Sequence, residues 1–128
     1  MTNKNIKIFI AEDDKFLSKI YRTRLEQEDY TIIAANNGID AVEKIIAEQP
    51  DLILLDLLIP QKNGFDVLEE LKANSTTQNI PVIILSNLGQ ESDVEKGMKL
   101  GAIDFLIKAN FSIDEVTGKI KEHLKETK

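Results

Sequence analysis

Cysteine and tryptophan are absent from the 128-residue chain, and histidine occurs once. Without cysteine there is no disulfide, no thiolate metal site and no thiol nucleophile, which is compatible with a reducing compartment. A single histidine excludes a multi-histidine metal site. Long apolar runs are lacking too. The longest, Leu52 to Ile59, is broken by Asp56 and falls far short of the roughly 20 residues that span a bilayer. The unbroken apolar run before the acids near the start is four residues, Ile8 to Ala11, too short for the apolar region of a signal peptide. Positive charge is also in deficit: 16 Lys+Arg against 22 Asp+Glu leave −6, which weighs against direct nucleic-acid binding. No linker, low-complexity tract or internal repeat breaks the chain. These absences predict a soluble, cytoplasmic protein of one domain, residues 1–128, with no membrane association.

Five apolar, β-rich runs alternate with helical patterns: Ile6–Ala11, Thr31–Ala34, Leu52–Leu55, Val82–Leu85 and Ile103–Ile107. Three are almost continuously apolar, as strands buried on both faces of a parallel sheet must be. Between them fall stripes of 3.6-residue period: Leu17, Ile20, Tyr21 and Leu25, then Val42, Ile45 and Ile46, then Leu68 and Leu71. Val94 and Met98 mark a fourth, and Ile113, Val116, Ile120 and Leu124 a fifth. Punctuation agrees. Gly38 opens the second helix, Gly64 follows Asn63 in a turn, Gly101 stands where a helix C-terminus is expected, and Ser112 with Glu115 forms a capping box. The fold class is therefore α/β: a (βα)5 doubly wound, five-stranded parallel sheet with helices on both faces. The strand order is not readable from this pattern.

In an open parallel sheet, sites form at the carboxyl ends of the strands. The first run ends in Glu12-Asp13-Asp14, the third in Asp56, the fourth in Ser86-Asn87 and the fifth in Lys108. Carboxylates, a hydroxyl and an ammonium thus converge on one edge. Asp56 stands out, set within LILLDLLIP, because an ionised carboxylate among apolar residues is costly unless paired or bound to a cation. Clustered carboxylates repel, and a hard divalent cation with oxygen ligands relieves that repulsion; Mg²⁺ suits one or two carboxylates plus phosphate oxygens. Asp14 and His123 read as solvated residues near helix ends, placed favourably for the helix dipole.

These residues resemble the receiver domain of two-component response regulators, the CheY-like family, over positions 5–126. Its acidic pair matches Glu12 and Asp13, and its phosphoacceptor matches Asp56, 43 residues after Asp13. Its Ser/Thr matches Ser86 and its Lys matches Lys108, 30 and 52 residues after Asp56. Phe105 matches the switch aromatic, and Pro60 and Gly64 also fall in register. The resemblance implies that Asp56 accepts a phosphoryl group from a sensor histidine kinase or phosphotransfer protein, or from a small acyl phosphate. Asp13 and Asp56 would ligate Mg²⁺ directly, Glu12 through water, and Leu58 through its main-chain carbonyl. Lys108 and the metal would neutralise the transferring oxygens. Ser86 would then hydrogen-bond the phosphoryl group, Phe105 would turn, and the face of residues 89–126 would bind a downstream effector. A monomer is expected, with dimerisation on phosphorylation left open. A stand-alone receiver is the simplest reading, although one excised from a longer regulator has the same sequence.

Departures from the family pattern sharpen these expectations. Ala109 follows Lys108 where the family usually has a cis proline. A cis bond before another residue costs roughly 2.5–4 kcal/mol, so a trans bond is expected. Leu58 and Leu88 stand at positions that tune acyl-phosphate lifetime in the family, and neither side chain can orient a water or take its proton. Other readings of the fold fit less well. A cofactor binder would need a hydroxyl- and glycine-rich loop where EDDKF stands, and no P-loop motif occurs. An aspartate-nucleophile phosphatase would need a second Asp two residues after the first, but Leu58 is there. The remaining alternative is a receiver-like interaction scaffold that is never phosphorylated.

Overall fold

The four residues Leu52–Leu55 form the third strand and are buried on both sides, as their unbroken apolar run requires. The structure, a computed structural model, describes residues 5–126. The strands are β1 (Lys7–Ala11), β2 (Thr31–Ala35), β3 (Leu52–Leu55), β4 (Val82–Ser86) and β5 (Asp104–Ile107). The helices are α1 (Lys15–Glu26), α2 (Gly38–Glu48), α3 (Gly64–Ala73), α4 (Glu91–Lys99) and α5 (Ile113–Glu126), with a 3₁₀ turn at Lys108–Asn110. The strands are parallel in the order β2-β1-β3-β4-β5. Chain connections therefore leave β1 and β3 in opposite directions, which opens a crevice between their carboxyl ends.

Alternate strand residues feed two cores. Phe9, Ala11, Ile53, Leu55 and Ile84 pack with Ala41, Ile45, Val67, Leu68 and Leu71 from α2 and α3. Ile8, Ile10, Leu52, Leu54, Ile83 and Leu85 face Tyr21, Leu25, Val116, Ile120 and Leu124 from α1 and α5. Each fully buried Leu or Ile contributes roughly 1.5–3 kcal/mol relative to exposure, and this two-sided burial holds the strand ends in place. The stripes are less complete than their periodicity implies, since Ile20, Ile46 and Met98 are exposed. On α4 the buried residue is Gly97. A Cβ there would lie 2.6 Å from Ile84 Cδ1 and 3.2 Å from the Phe105 ring.

Side chains fix the helix starts. Asp14 is not merely solvated: its Oδ1 accepts from the Phe16 and Leu17 amides at 2.9 and 3.0 Å and so caps α1. Asn37 accepts from Asp40 N at 2.8 Å, and Asn63 from Asp66 N at 3.0 Å. Asn63 is thus the cap of α3, and Gly64, expected in a turn, is the first helical residue. The Ser112–Glu115 capping box forms in both directions, at 2.8 and 3.1 Å. Gly101 has φ of 110° just past the end of α4, a conformation that favours glycine. No described peptide bond is cis, so Lys108–Ala109 is trans as expected. No described helix is long and apolar enough to cross a membrane.

Candidate functional site

The site is assembled by strand ends. Glu12 follows β1, its amide donating to Ala35 O on β2 at 3.1 Å. Asp56 follows β3, its amide donating to Ala11 O at 3.0 Å. This ladder between neighbouring strands places the two acids side by side. Both side chains are buried, whereas Asp13 is exposed. Carboxylate oxygens of Glu12, Asp13 and Asp56 lie within 4.8 Å of one another.

Donors from the other strands converge on this cluster. Lys108 Nζ lies 2.7 Å from Asp56 Oδ2 and 2.5 Å from Glu12 Oε1. Ser86, fully buried at the end of β4, donates its hydroxyl to Asp56 Oδ1 at 2.8 Å. The Leu58 amide donates to the same oxygen at 3.0 Å, and the Asp14 amide donates to Glu12 Oε2 at 3.0 Å. Every carboxylate oxygen of the two buried acids thus has a donor, which is what their burial requires. Leu58 itself is 53% exposed, an aliphatic side chain at the mouth.

Burial sets the electrostatics. It pushes the Glu12 carboxyl up from its ordinary value; hydrogen bonds from Lys108 and the Asp14 amide oppose this, and the Asp56 charge adds to it. For Lys108, burial works against the charged form, but the hydrogen bonds and charges of Asp56 and Glu12 prevail, and its ammonium is held above the ordinary range. Tyr21, expected only as part of the α1 stripe, lies against the same acids. Its phenol is raised by burial first, with Lys108, Glu12 and Asp56 all acting on it. Periodicity identifies Tyr21 as a buried residue but not as a neighbour of the site.

Glu12, Asp13, Asp56, Ser86 and Lys108 therefore meet at one edge, as their positions at strand ends predict. Phe105 stands apart. It is half-buried, and its ring packs among the core residues on the α3 and α4 side, beside Gly97. His123 requires correction: rather than solvated, it is half-buried, with Nε2 2.9 Å from Asp104 Oδ2. Asp104 also accepts from the Phe105 amide at 2.8 Å. The cause is tertiary, because α5 packs this residue against the start of β5.

A sheet of order 2-1-3-4-5 with an acidic pocket at the β1/β3 crevice defines a receiver. The model of the response regulator receiver domain matches residues 8–121, and the chain belongs to that family. It is 36% identical over 121 residues to the DNA-binding dual master transcriptional regulator RpaA of Synechocystis sp., covering 94% of this chain and 50% of that protein. It is 33% identical to a probable transcriptional regulator, ycf27, of Guillardia theta, covering 94% of this chain and 46% of that one. The chain thus spans about half the length of these curated relatives. Among solved structures, the Francisella response regulator 1452 receiver domain superposes with TM-score 0.89 at 33% identity, covering 97% of this chain and all of that one. The BeF3-activated receiver domain of Klebsiella pneumoniae RstA does so with TM-score 0.85 at 26% identity, covering 92% and 97%.

Proposed function

We propose that Asp56 is the phosphoacceptor of this receiver and that Lys108, Ser86 and the acids around it serve its phosphorylation. The supporting observation is the convergence of Lys108 Nζ, Ser86 Oγ and the Leu58 amide on the two oxygens of one buried carboxylate. An oxygen of Asp56 attacks phosphorus of a histidine kinase's phosphohistidine, or of a small acyl phosphate. The phosphorus–nitrogen bond, or the donor's acyl phosphate bond, breaks and its electron pair leaves with the donor. The product is a mixed anhydride, a covalent intermediate of carboxylate nucleophilic catalysis. Lys108 offsets charge on the transferring oxygens, and the Ser86 hydroxyl exchanges its carboxylate partner for a phosphoryl oxygen. The chain acts as a signalling receiver and catalyses only its own modification.

The carboxylates fit a hard divalent cation: oxygens of Glu12, Asp13 and Asp56 lie within 4.8 Å of one another. Asp13 and Asp56 directly, Glu12 through water and the Leu58 main-chain carbonyl would hold Mg²⁺, which would supply positive charge for the phosphoryl transfer. A phosphoryl group brings roughly −1.5 to −2 charges, to which the Ser86 hydroxyl and the Phe105 ring respond. The surface of residues 89–126 then serves as the effector interface. A cytoplasmic site of action and the absence of direct nucleic-acid contact by this acidic segment belong to the same reading. The DNA-binding name belongs to a relative twice as long.

Incubation with Mg²⁺ and acetyl phosphate tests the assignment by intact mass. One phosphoryl adduct is expected on the wild type and none on Asp56→Asn. An adduct on both would relocate the acceptor, and an adduct on neither would favour the unphosphorylated scaffold. Leu58 and Leu88 offer no polar group to a hydrolytic water, so the adduct is expected to be long-lived. Leu58→Asn should shorten its lifetime several-fold, read as phosphate release over time.

A further inference from the structure

A second concave site adjoins the acidic crevice and shares Glu12 with it. The end of β2, one face of α1 and the first turns of α2 enclose a hollow of about 510 Å³. This falls within the roughly 300–1,000 Å³ typical of small-molecule sites. Lys15, Lys19 and Arg22 from α1 and Lys44 from α2 surround it. None of these four is paired with a carboxylate among the described residues, although the chain as a whole carries −6. Among the described residues, Lys44 Nζ donates only to the Ala34 carbonyl, at 3.1 Å. Two carboxylates also line the hollow: Glu12, whose charge is met by Lys108, and Asp40, which accepts from Asn37 Nδ2 at 3.0 Å and keeps its charge, so cations outnumber anions there by four to two.

The α1 face is arranged at a cost. Lys15 and Lys19 are four residues apart, Lys19 and Arg22 three. Like charges at these spacings repel along a helix and destabilise it. Ser18 lies between them on the same face, 7% exposed. Its hydroxyl makes no hydrogen bond to any described residue, yet it lines the hollow. A hydroxyl that opens into the hollow with no hydrogen-bond partner among the described residues, beside four cations that form no ion pair there, is a donor set for an anion. The apolar lining is confined to Ala34 and Ala35, so recognition rests on charge rather than on an apolar or stacking body.

We propose that this α1/α2 hollow binds a small polyanion bearing two or more phosphate groups. The ammonium groups and the Arg22 guanidinium neutralise the phosphates, and the Ser18 hydroxyl donates to one phosphate oxygen. Nothing in this binding requires a phosphoryl group on Asp56.

Calorimetric titration with tripolyphosphate in magnesium-free buffer tests it. Saturable one-to-one binding is expected. Lys19→Glu with Arg22→Glu should weaken it about tenfold or more, the loss of roughly one good charge interaction. Lys99→Glu with Lys125→Glu makes the same change in net charge at exposed positions outside the hollow and should leave affinity within about twofold. Ser18→Ala, which favours the helix and leaves charge unaltered, should weaken binding about threefold. Absence of saturation, equal weakening by both charge-reversal pairs, or no effect of Ser18→Ala would overturn the assignment. Tighter binding of a decaglutamate peptide than of tripolyphosphate would also overturn it, by turning the face into a protein-docking surface.

Discussion

Two ion clusters of the same formal chemistry stand at different places in this molecule. Lys108 with Glu12 and Asp56 closes the carboxyl edge of the sheet, its side chains 11%, 4% and 6% exposed. Arg24 with Glu28 and Asp114, joined by Lys121 on Glu28, clasps the end of α1 to α5 at the surface. In the first, desolvation is the leading influence on both Glu12 and Lys108. In the second, hydrogen bonds from Lys121 and Arg24 lead, and they hold the Glu28 carboxyl below its ordinary value. An ion pair's worth is set by how much water it excludes, so the buried cluster stores consequences that the exposed clasp does not.

The largest effect should follow from deleting the buried cation. Lys108→Met leaves two buried acids and Asp13 facing one another, and should lower stability in urea by about 3 kcal/mol, the low end for breaking a buried pair. Mg²⁺ should restore part of that loss. In the wild type, Mg²⁺ at a hundredfold its dissociation constant should add about 2.7 kcal/mol, removed by chelation and absent in Asp13→Asn. A wild type insensitive to Mg²⁺ would erase the functional half of the contrast.

The two clusters should also respond to pH in opposite directions. The Glu12 pKa is raised, so the folded state holds its proton more tightly than the unfolded state does. Its contribution is complete below the ordinary value of 4.5 and is lost as pH rises through the raised value. The Lys108 contribution is likewise complete below 10.5 and lost only above it. Glu28 behaves oppositely: its contribution is present above 4.5 and is lost as pH falls through its lowered value. Unfolding curves at stepped pH should show that Glu12→Gln removes a decline on the rising side. Glu28→Gln, the smallest effect, should remove only a slight decline on the falling side, and added salt should mask it.

Much of this was legible in the sequence, for identifiable reasons. β3 was read to its bounds because its four residues are buried on both faces. β1 and β5 are each one residue shorter than their apolar runs: Ile6 and Ile103 make one backbone hydrogen bond apiece, from Thr31 N and to Val82 O, at the margin of the ladder. Strand order was not legible: a strand buried on both sides carries the same apolar pattern whichever neighbours it has. At the site, strand-end placement found the acids, Ser86 and Lys108. The sharing of Lys108 between Glu12 and Asp56 bridges 96 and 52 residues, and no local pattern encodes it. The partnership of His123 with Asp104 is not legible, because helix position says nothing of a residue across the packed interface. Ser18, small and polar on a helix face, gave no signal at all.

Gly97 gives α4 an unusual footing. The helix meets Ile84 and the aromatic ring of β5 through a hydrogen atom where other residues would present a methyl group. A single methyl at that point would act as a shim, turning the end of Ile84 aside and pressing on the ring. The clearance over Phe105 is therefore set by the smallest substituent a polypeptide can offer.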